Sequence, residues 1–302
     1  MATIGSKGTI KAYANFNAAE DVQKLRKAMK GTGTDEDAII DVLVNRSLAQ
    51  RQEIKSAYKT TVGKDLEDDL KSELSGNFEN VVVGLLTPIT LYDVQELKKA
   101  MKGAGTDEGC LIEILASRSA DEIKNINITY RLKYGKSLED DICSDTSFMF
   151  QRVLVSLSAD LYEAGEKKWG TDEVKFLTIL CTRNRNHMLK VFDEYKKVAK
   201  KDIEASIKSE MSGHFEDALL AIVKCTRSRP AYFAERLYKS MKGLGTDDST
   251  LIRVMVSRCE IDMLEIRSEF KKAYGKSLHS FIKGDCSGDY RKLLLKLCGG
   301  ED

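Results

Sequence analysis

The sequence lacks long apolar runs and any excess of one charge. Its 302 residues contain no apolar stretch of about 18 residues and no cationic, then apolar, leader, so neither a membrane-spanning helix nor a secretory signal is expected. The 48 Lys and Arg residues are balanced by 47 Asp and Glu, and this net charge of +1 argues against a nucleic-acid partner. Any attraction to a charged surface must therefore be local or come from a bound ion.

Paired cysteine and histidine motifs are also missing. The seven cysteines are scattered and form no CxxC pair, which predicts reduced thiols rather than a disulfide framework. The three histidines are isolated, and no HExxH or zinc-finger spacing occurs. Proline is scarce as well: the only two, Pro88 and Pro230, fall where repeated segments meet, so helices elsewhere are uninterrupted by proline.

The chain repeats itself four times. Met-Lys-Gly-x-Gly-Thr begins at Met29, Met101 and Met241, and a degenerate copy, Glu-Lys-Lys-Trp-Gly-Thr, begins at Glu166. Counted from the second glycine, every copy has an arginine at +13, an aromatic residue at +25, an acid at +40 and a second aromatic residue at +45. Agreement at this many positions indicates a fourfold structural repeat.

Between these markers the pattern is helical. Apolar residues in segments 38–44 and 251–256 form the wide stripe of a helix with one buried face. Each copy offers about five short helices, with breaks at Gly63, Gly135 and Gly275 and near the later Ser-Gly pairs. No segment alternates as a strand does. The sequence therefore predicts an all-α fold.

A helix is expected to begin directly after each glycine loop. The loop threonine, which is Thr34, Thr106, Thr171 or Thr246, is predicted to be its N-cap. The acids that follow are placed in the first helical turn, where the helix dipole favours negative charge. They are interpreted as capping residues rather than metal ligands.

The glycine loop and the acid at +40 together suggest a calcium site. Two glycines one residue apart let the chain adopt positive φ and turn successive carbonyls to solvent. Three carbonyls, from positions −4, −2 and 0, and one bidentate carboxylate supply five of the about 6–8 oxygens that Ca²⁺ requires. A lipid phosphate can complete the shell. The alternative is that the loops are tight turns and the acids only bind water.

At these residues the chain resembles the annexins, from about Phe16 to Asp302. The Met-Lys-Gly-x-Gly-Thr loop with an acid 40 residues later is similar to that family's type II calcium motif. The resemblance implies four repeats of five helices in a curved disc, with the calcium loops on its convex face. It also implies calcium-dependent binding to acidic phospholipid membranes, vesicle aggregation and a role in exocytosis or membrane organisation. The protein is expected in the cytoplasm, and on inner membrane leaflets when calcium rises.

Carried over by position, the resemblance implies four Ca²⁺ sites of three carbonyls and one carboxylate each. The ligands are Met29, Gly31, Gly33 and Glu73; Met101, Gly103, Gly105 and Asp145; Glu166, Lys168, Gly170 and Glu210; and Met241, Gly243, Gly245 and Asp285. Lys168 stands where the other copies have glycine, so the third site is expected to fill only at higher calcium or on a membrane. Trp169, at the tip of that loop, is expected to enter the membrane interface.

The repeats are expected to divide the chain unevenly. The predicted boundaries are a tail at 1–15 and repeats at 16–87, 88–158, 159–229 and 230–302. The second glycines of successive loops are 72, 65 and 75 residues apart, whereas annexins have their longest connector between the second and third repeats. The third repeat is therefore expected to be shortened at its start, and its first helix to have about two turns at most.

Three other functions fit the sequence less well than membrane binding. A helical-repeat scaffold for proteins remains an alternative. Ion conduction has support from family precedent and from charges such as Arg118 and Glu96, although structural ion pairing explains such charges more simply. No catalysis is expected, because the chain has no phosphate-cradling loop and no nucleophile with a recognisable partner. Lateral self-association on membranes and the identity of protein partners stay open.

Overall fold

A computed structural model describes residues 7–31, 33–159, 179–181 and 185–301, which are helical and contain no strand. No helix in these ranges is long and apolar enough to cross a membrane. The all-α prediction is confirmed. The helices are α1 (Ala18–Ala28), α2 (Glu36–Val44), α3 (Leu48–Val62), α4 (Leu66–Glu73), α5 (Gly76–Leu86), α6 (Ile89–Ala100), α7 (Glu108–Ser117), α8 (Ala120–Tyr134), α9 (Leu138–Asp145), α10 (Phe148–Ser158), α11 (Arg185–Ala199), α12 (Ile203–Glu210), α13 (Gly213–Arg227), α14 (Arg229–Met241), α15 (Asp248–Arg258), α16 (Met263–Tyr274), α17 (Leu278–Asp285) and α18 (Gly288–Cys298).

The helices recur in groups of five, as the sequence predicts. The first copy of the repeat contains α1–α5, the second α6–α10 and the fourth α14–α18. The described part of the third copy contains α11, α12 and α13. The short first helix predicted for the third copy lies outside the described residues.

Helix ends fall where the sequence places them. Gly63, Gly135 and Gly275 follow α3, α8 and α16 with φ of 78°, 69° and 71°, and the N–H of each donates to the carbonyl four residues earlier. This is the left-handed cap that glycine adopts without steric cost. In the third copy the same position, directly after α11, is Lys200, which holds φ at 55°. The third copy therefore has a strained residue where the other three have glycine.

The chain divides into two compact units. One contains residues 1–88 and 233–302, and the other contains residues 89–232. In the first unit α2 and α5 pack against α15 and α18, and Leu43, Val82 and Leu294 are fully buried there. In the second, α7, α10 and α13 pack together around Ile114 and Leu219. Each unit thus combines two copies, the first with the fourth and the second with the third.

The arginine at +13 forms a buried ion pair. Arg118 donates to both carboxylate oxygens of Asp93 at 2.7 Å, and Arg46 pairs in the same way with Asp21. Burial alone lowers the pKa of Arg118, but the Asp93 charge and its hydrogen bonds outweigh burial and raise that pKa. Arg118 is therefore part of a structural ion pair, which joins α6 to the end of α7.

In the fourth copy the arginine at +13 pairs with a different acid. Position −12, which is Asp21 and Asp93 in the first two copies, is Phe233 here. Arg258 instead pairs with Asp262 at 2.8 and 2.7 Å, and its guanidinium lies 4.6 Å from the centre of the Phe233 ring. A cation over an aromatic face is favourable, so the arginine stays paired although the helical acid is lost.

The end of the N-terminal tail is attached to the fourth copy. The backbone N–H of Thr9 donates to the carbonyl of Cys259 at 2.8 Å, and its hydroxyl donates to the carbonyl of Leu297 at 2.5 Å. A Cβ at Gly8 would lie 2.4 Å from the carbonyl carbon of Glu260, so only glycine allows this approach. The tail therefore holds a fixed course from residue 7 onward.

Lys200→Gly is expected to stabilise the protein. A left-handed conformation costs a non-glycine residue about 1–2 kcal/mol, and glycine removes that cost, so the free energy of unfolding should rise by about 1 kcal/mol. Urea or thermal unfolding measures the change. The control is the reverse exchange at the equivalent position, Gly275→Lys, which should lower stability by a similar amount. A loss of stability in Lys200→Gly would show that this cap is not strained.

Candidate metal centres

Each described glycine loop closes in the same way at its base. The N–H of the aspartate after the loop threonine donates to the carbonyl of the residue at −5. The distances are 2.9 Å from Asp35 to Ala28, 2.8 Å from Asp107 to Ala100 and 2.7 Å from Asp247 to Ser240. One bond thus fixes where the loop leaves the first helix and where it joins the next.

Both loop glycines adopt positive φ in each of these copies. The angles are 115° and 91° at Gly31 and Gly33, 105° and 106° at Gly103 and Gly105, and 124° and 86° at Gly243 and Gly245. No heavy atom lies within 4 Å of where a Cβ would stand at any of the six. Glycine is therefore required for the backbone conformation and not for space.

The carbonyls assigned to the metal are open to a ligand. In the second and fourth copies, no donor among the described residues hydrogen-bonds to the carbonyl oxygens at −4, −2 and 0. The four residues that follow the methionine, from 102 to 105 and from 242 to 245, are exposed in both copies. The glycine carbonyls at −2 and 0 belong to exposed residues and have no protein donor, so they are available to a cation, whereas Met101 and Met241 are buried.

The acid at +40 lies beside its loop in every copy where both are described. Helices α4, α9 and α17 each end at this acid, and the loop threonine donates its hydroxyl hydrogen to the carboxylate. The distances are 3.3 Å from Thr34 to Glu73, 3.0 Å from Thr106 to Asp145 and 2.5 Å from Thr246 to Asp285. A threonine and an acid 39 residues apart in sequence are thereby brought to one place.

In the first, second and fourth copies the prediction that the threonine is the helix N-cap was wrong by one residue, and Thr171 lies outside the described residues. The N-caps are Asp35, Asp107 and Asp247, whose carboxylates accept from the backbone N–H three residues later at 3.0, 2.9 and 3.1 Å. A carboxylate is at least as good a cap as a hydroxyl and also favours the positive end of the helix dipole. With the aspartate as cap, the threonine hydroxyl is available to hold the distant acid.

The third copy is described only in part. Glu210 ends α12 as Glu73 ends α4, which is the position expected of a ligand. The predicted ligands Glu166, Lys168 and Gly170, and the predicted membrane contact Trp169, lie outside the described residues.

The donor set suits a hard cation. Three carbonyls and one carboxylate are oxygen ligands of the kind Ca²⁺ prefers. Among the described residues no group of three or more His, Cys, Asp or Glu side chains could hold a metal, so a metal bound here relies mainly on backbone oxygens. Burial raises the pKa of the Cys286 thiol, next to Asp285, to about 11.

Comparison with known proteins identifies the repeat. The sequence model of the annexin repeat matches residues 20–85, 92–157, 158–222 and 232–297. The chain belongs to the annexin family. Annexins bind calcium and phospholipid membranes and are in general not enzymes.

The similar annexins cover the whole chain. Annexin A4 of Bos taurus is 75% identical over 98% of both chains, and annexin A4 of Homo sapiens is 72% identical over 100% of both. Among solved structures, annexin III has a TM-score of 0.94 at 50% identity and covers 99% of both chains. A calcium-bound annexin (Sm)1 has a TM-score of 0.85 at 32% identity, with 98% of this chain and 94% of that chain covered.

The comparisons also bear on the short connector. The second and third annexin matches are contiguous at residues 157 and 158, whereas residues separate the other neighbouring matches. The alignment with the human annexin A4 is 321 positions long for the 302 residues of this chain, so about 19 positions of that alignment have no counterpart here. The shortening of the third repeat at its start stays a prediction.

Gly243→Ala is expected to weaken calcium binding. Alanine disfavours the positive φ that exposes the loop carbonyls, so the fourth loop should lose both stability and its ligand geometry. Isothermal calorimetry should show weaker calcium binding. Gly275→Ala is the control, since it also strains a positive-φ glycine, at a helix cap with φ of 71°, and should reduce stability without affecting calcium. Equal calcium affinity in both variants would separate the loop from the metal site.

Proposed function

We propose that this annexin binds acidic phospholipid membranes when calcium is present. The observation that supports it most directly is the hydrogen bond from the loop threonine to the acid at +40, found in all three described pairs. In the proposed site, this carboxylate and the three loop carbonyls bind the same ion. We assign the sixteen residues derived from the sequence as Ca²⁺ ligands, those of the third site by analogy with the other three.

Membrane binding follows from what each site lacks. One carboxylate per ion leaves net positive charge and open coordination positions, so calcium affinity without lipid should be at the weak end of protein calcium sites. A lipid phosphate supplies oxygen and negative charge, and linkage requires that calcium and membrane each raise affinity for the other. Because a first anchored loop raises the effective concentration of the others, several weak sites can sum to tight attachment.

Loop tips add apolar contact. Leu244, between the two glycines of the fourth loop, is fully exposed, and it is in register with Trp169 of the third loop. An exposed leucine between two proposed carbonyl ligands stabilises the bound state only if it contacts an apolar phase. Leu244 and Trp169 are therefore assigned to the membrane interface.

The cellular role is proposed from the same chemistry. The similarity to annexin A4 supports a cytoplasmic protein that moves to inner membrane leaflets as calcium rises. Vesicle aggregation and a part in exocytosis or membrane organisation fit a protein with several lipid-bridging ions. Lateral association on the membrane is compatible with this role.

Removing the three described carboxylates should raise the calcium requirement. In the triple variant Glu73→Gln, Asp145→Asn, Asp285→Asn, each described site loses its only charged ligand. Half-maximal pelleting with phosphatidylserine vesicles should therefore need at least about ten times more calcium. The charge-matched control, Glu53→Gln, Asp121→Asn, Glu269→Gln, alters acids on α3, α8 and α16 and should behave as the parent.

Two results would contradict the proposal. Unchanged pelleting of the ligand variant would show that these carboxylates do not hold calcium. Equal binding of the parent protein in calcium and in EGTA would show that attachment does not depend on calcium, as expected of a protein scaffold.

A further inference from the structure

The second repeat departs from the others three residues after its calcium acid. At +43 the other copies have Gly76, Gly213 and Gly288, with φ of 64°, 63° and 61°. The second copy has Phe148, which holds the same left-handed conformation with φ of 52°. This position needs positive φ in all four copies, and a bulky aromatic residue is the least suited to supply it.

The side chain of Phe148 does not pack in the protein core. Phe148 is 87% exposed, whereas Phe150, two residues later, is half-buried and has its ring centre 5.6 Å from that of His214. A strained, exposed phenylalanine costs stability and recovers little by packing within the chain. Strain that persists in this way points to a function outside the fold.

The next residue is also apolar in the second copy but polar in the others. Position +44 is polar in the other copies, as Asn77, His214 and Asp289, but is Met149 in the second. Only this copy therefore has two consecutive apolar residues at the start of the last helix of the repeat. The pair Phe148 and Met149 forms an apolar step at the start of α10.

The apolar step lies beside the second calcium site. Helix α9 ends at Asp145, and the Thr106 hydroxyl lies 3.0 Å from its carboxylate and 3.3 Å from its carbonyl. Three residues of chain span at most about 11 Å, so the Cα of Phe148 is within that distance of the Cα of Asp145. The polar layer on each side of a bilayer is of similar depth, about 5–8 Å.

We propose that Phe148, with Met149 beside it, is an apolar membrane anchor of the second repeat, and that it enters the bilayer interface when calcium at Asp145 binds a lipid phosphate. This inference rests on the proposed function, because the ion at Asp145 is what brings the lipid to Phe148. Aromatic side chains favour that interfacial depth. The anchor supplements the loop of its own repeat, whose tip is the small Ala104.

A lipid surface fits this step better than a protein partner does. The acid three residues earlier is, on the proposed function, held at the headgroups, so any apolar group this near and this exposed must meet either water or lipid. Phe148 and Met149 make a small apolar contact, which suits partial insertion into an interface. A stable protein interface needs far more area, about 1,200–2,000 Å² in total.

Phe148→Gly separates anchoring from folding, because the two effects have opposite signs. Glycine relieves the left-handed strain, so the melting temperature should rise. Loss of the aromatic group should weaken partition onto phosphatidylserine vesicles by about tenfold at a fixed, subsaturating calcium concentration. A lower melting temperature would indicate that Phe148 stabilises the fold, and unchanged partition would overturn the anchor.

The reciprocal variant is Gly288→Phe, at the same position of the fourth repeat. A Cβ there would have no heavy atom within 4 Å, although the positive φ of Gly288 means that the protein should melt at a lower temperature. In the Phe148→Gly background it should restore vesicle partition at least in part. Failure to do so would show that an aromatic group at this position does not bind lipid.

Insertion depth is read directly from a tryptophan at the site. In Trp169→Phe, Phe148→Trp, the remaining tryptophan should shift its emission to the blue and be quenched by brominated lipids only when calcium and vesicles are both present. An emission spectrum unchanged by bound vesicles would overturn the anchor. The parent protein in the same vesicle assay tests the proposed function separately, since its failure to bind at all would implicate the calcium sites rather than Phe148.

Discussion

The hydrogen bond between a loop threonine and the carboxylate 39 residues later is the interaction that defines each proposed calcium site. A tight glycine loop alone is only a turn, and an acid at the end of a helix is only a solvated charge. In the proposed site, the carboxylate and the loop carbonyls together bind one calcium ion. The weakness of such a site is also its use, because the coordination positions left open are those a phosphate can fill.

Two constraints hold that contact in place. The aspartate after the threonine caps the next helix and closes the loop at its base, so the threonine points toward the acid. The buried arginine at +13 joins helices of the repeat, through Asp21 and Asp93 in the first two copies and through Asp262 in the fourth. Breaking a buried pair of this kind costs about 3–5 kcal/mol, so the helices that present each site cannot shift freely.

The fold was predictable because its signals repeat. Agreement among four copies shows which glycines end helices and which acids belong to loops, and the breaks at Gly63, Gly135 and Gly275 lie where expected. The N-cap was less predictable, because threonine and aspartate are both good caps and stand side by side. Only the three-dimensional structure shows that the aspartate caps the helix and that the threonine hydroxyl donates to the acid.

The pairing of first with fourth and second with third copies was not predicted, since it depends on contacts between helices far apart in sequence. Phe148 could have been found, because the same alignment of copies places it opposite three glycines. The proposed role of Phe148 also depends on its positive φ and on the exposure of its ring, and the alignment contains neither.

A crystal structure of this chain grown with calcium is the strictest test of these sites. An ion should lie within about 2.3–2.6 Å of the carbonyl oxygens of Met241, Gly243 and Gly245 and of the Asp285 carboxylate, with equivalent ions in the first two repeats. Calcium bound elsewhere, or loop carbonyls that turn away from their acid at saturating calcium, would rule out this ligand assignment.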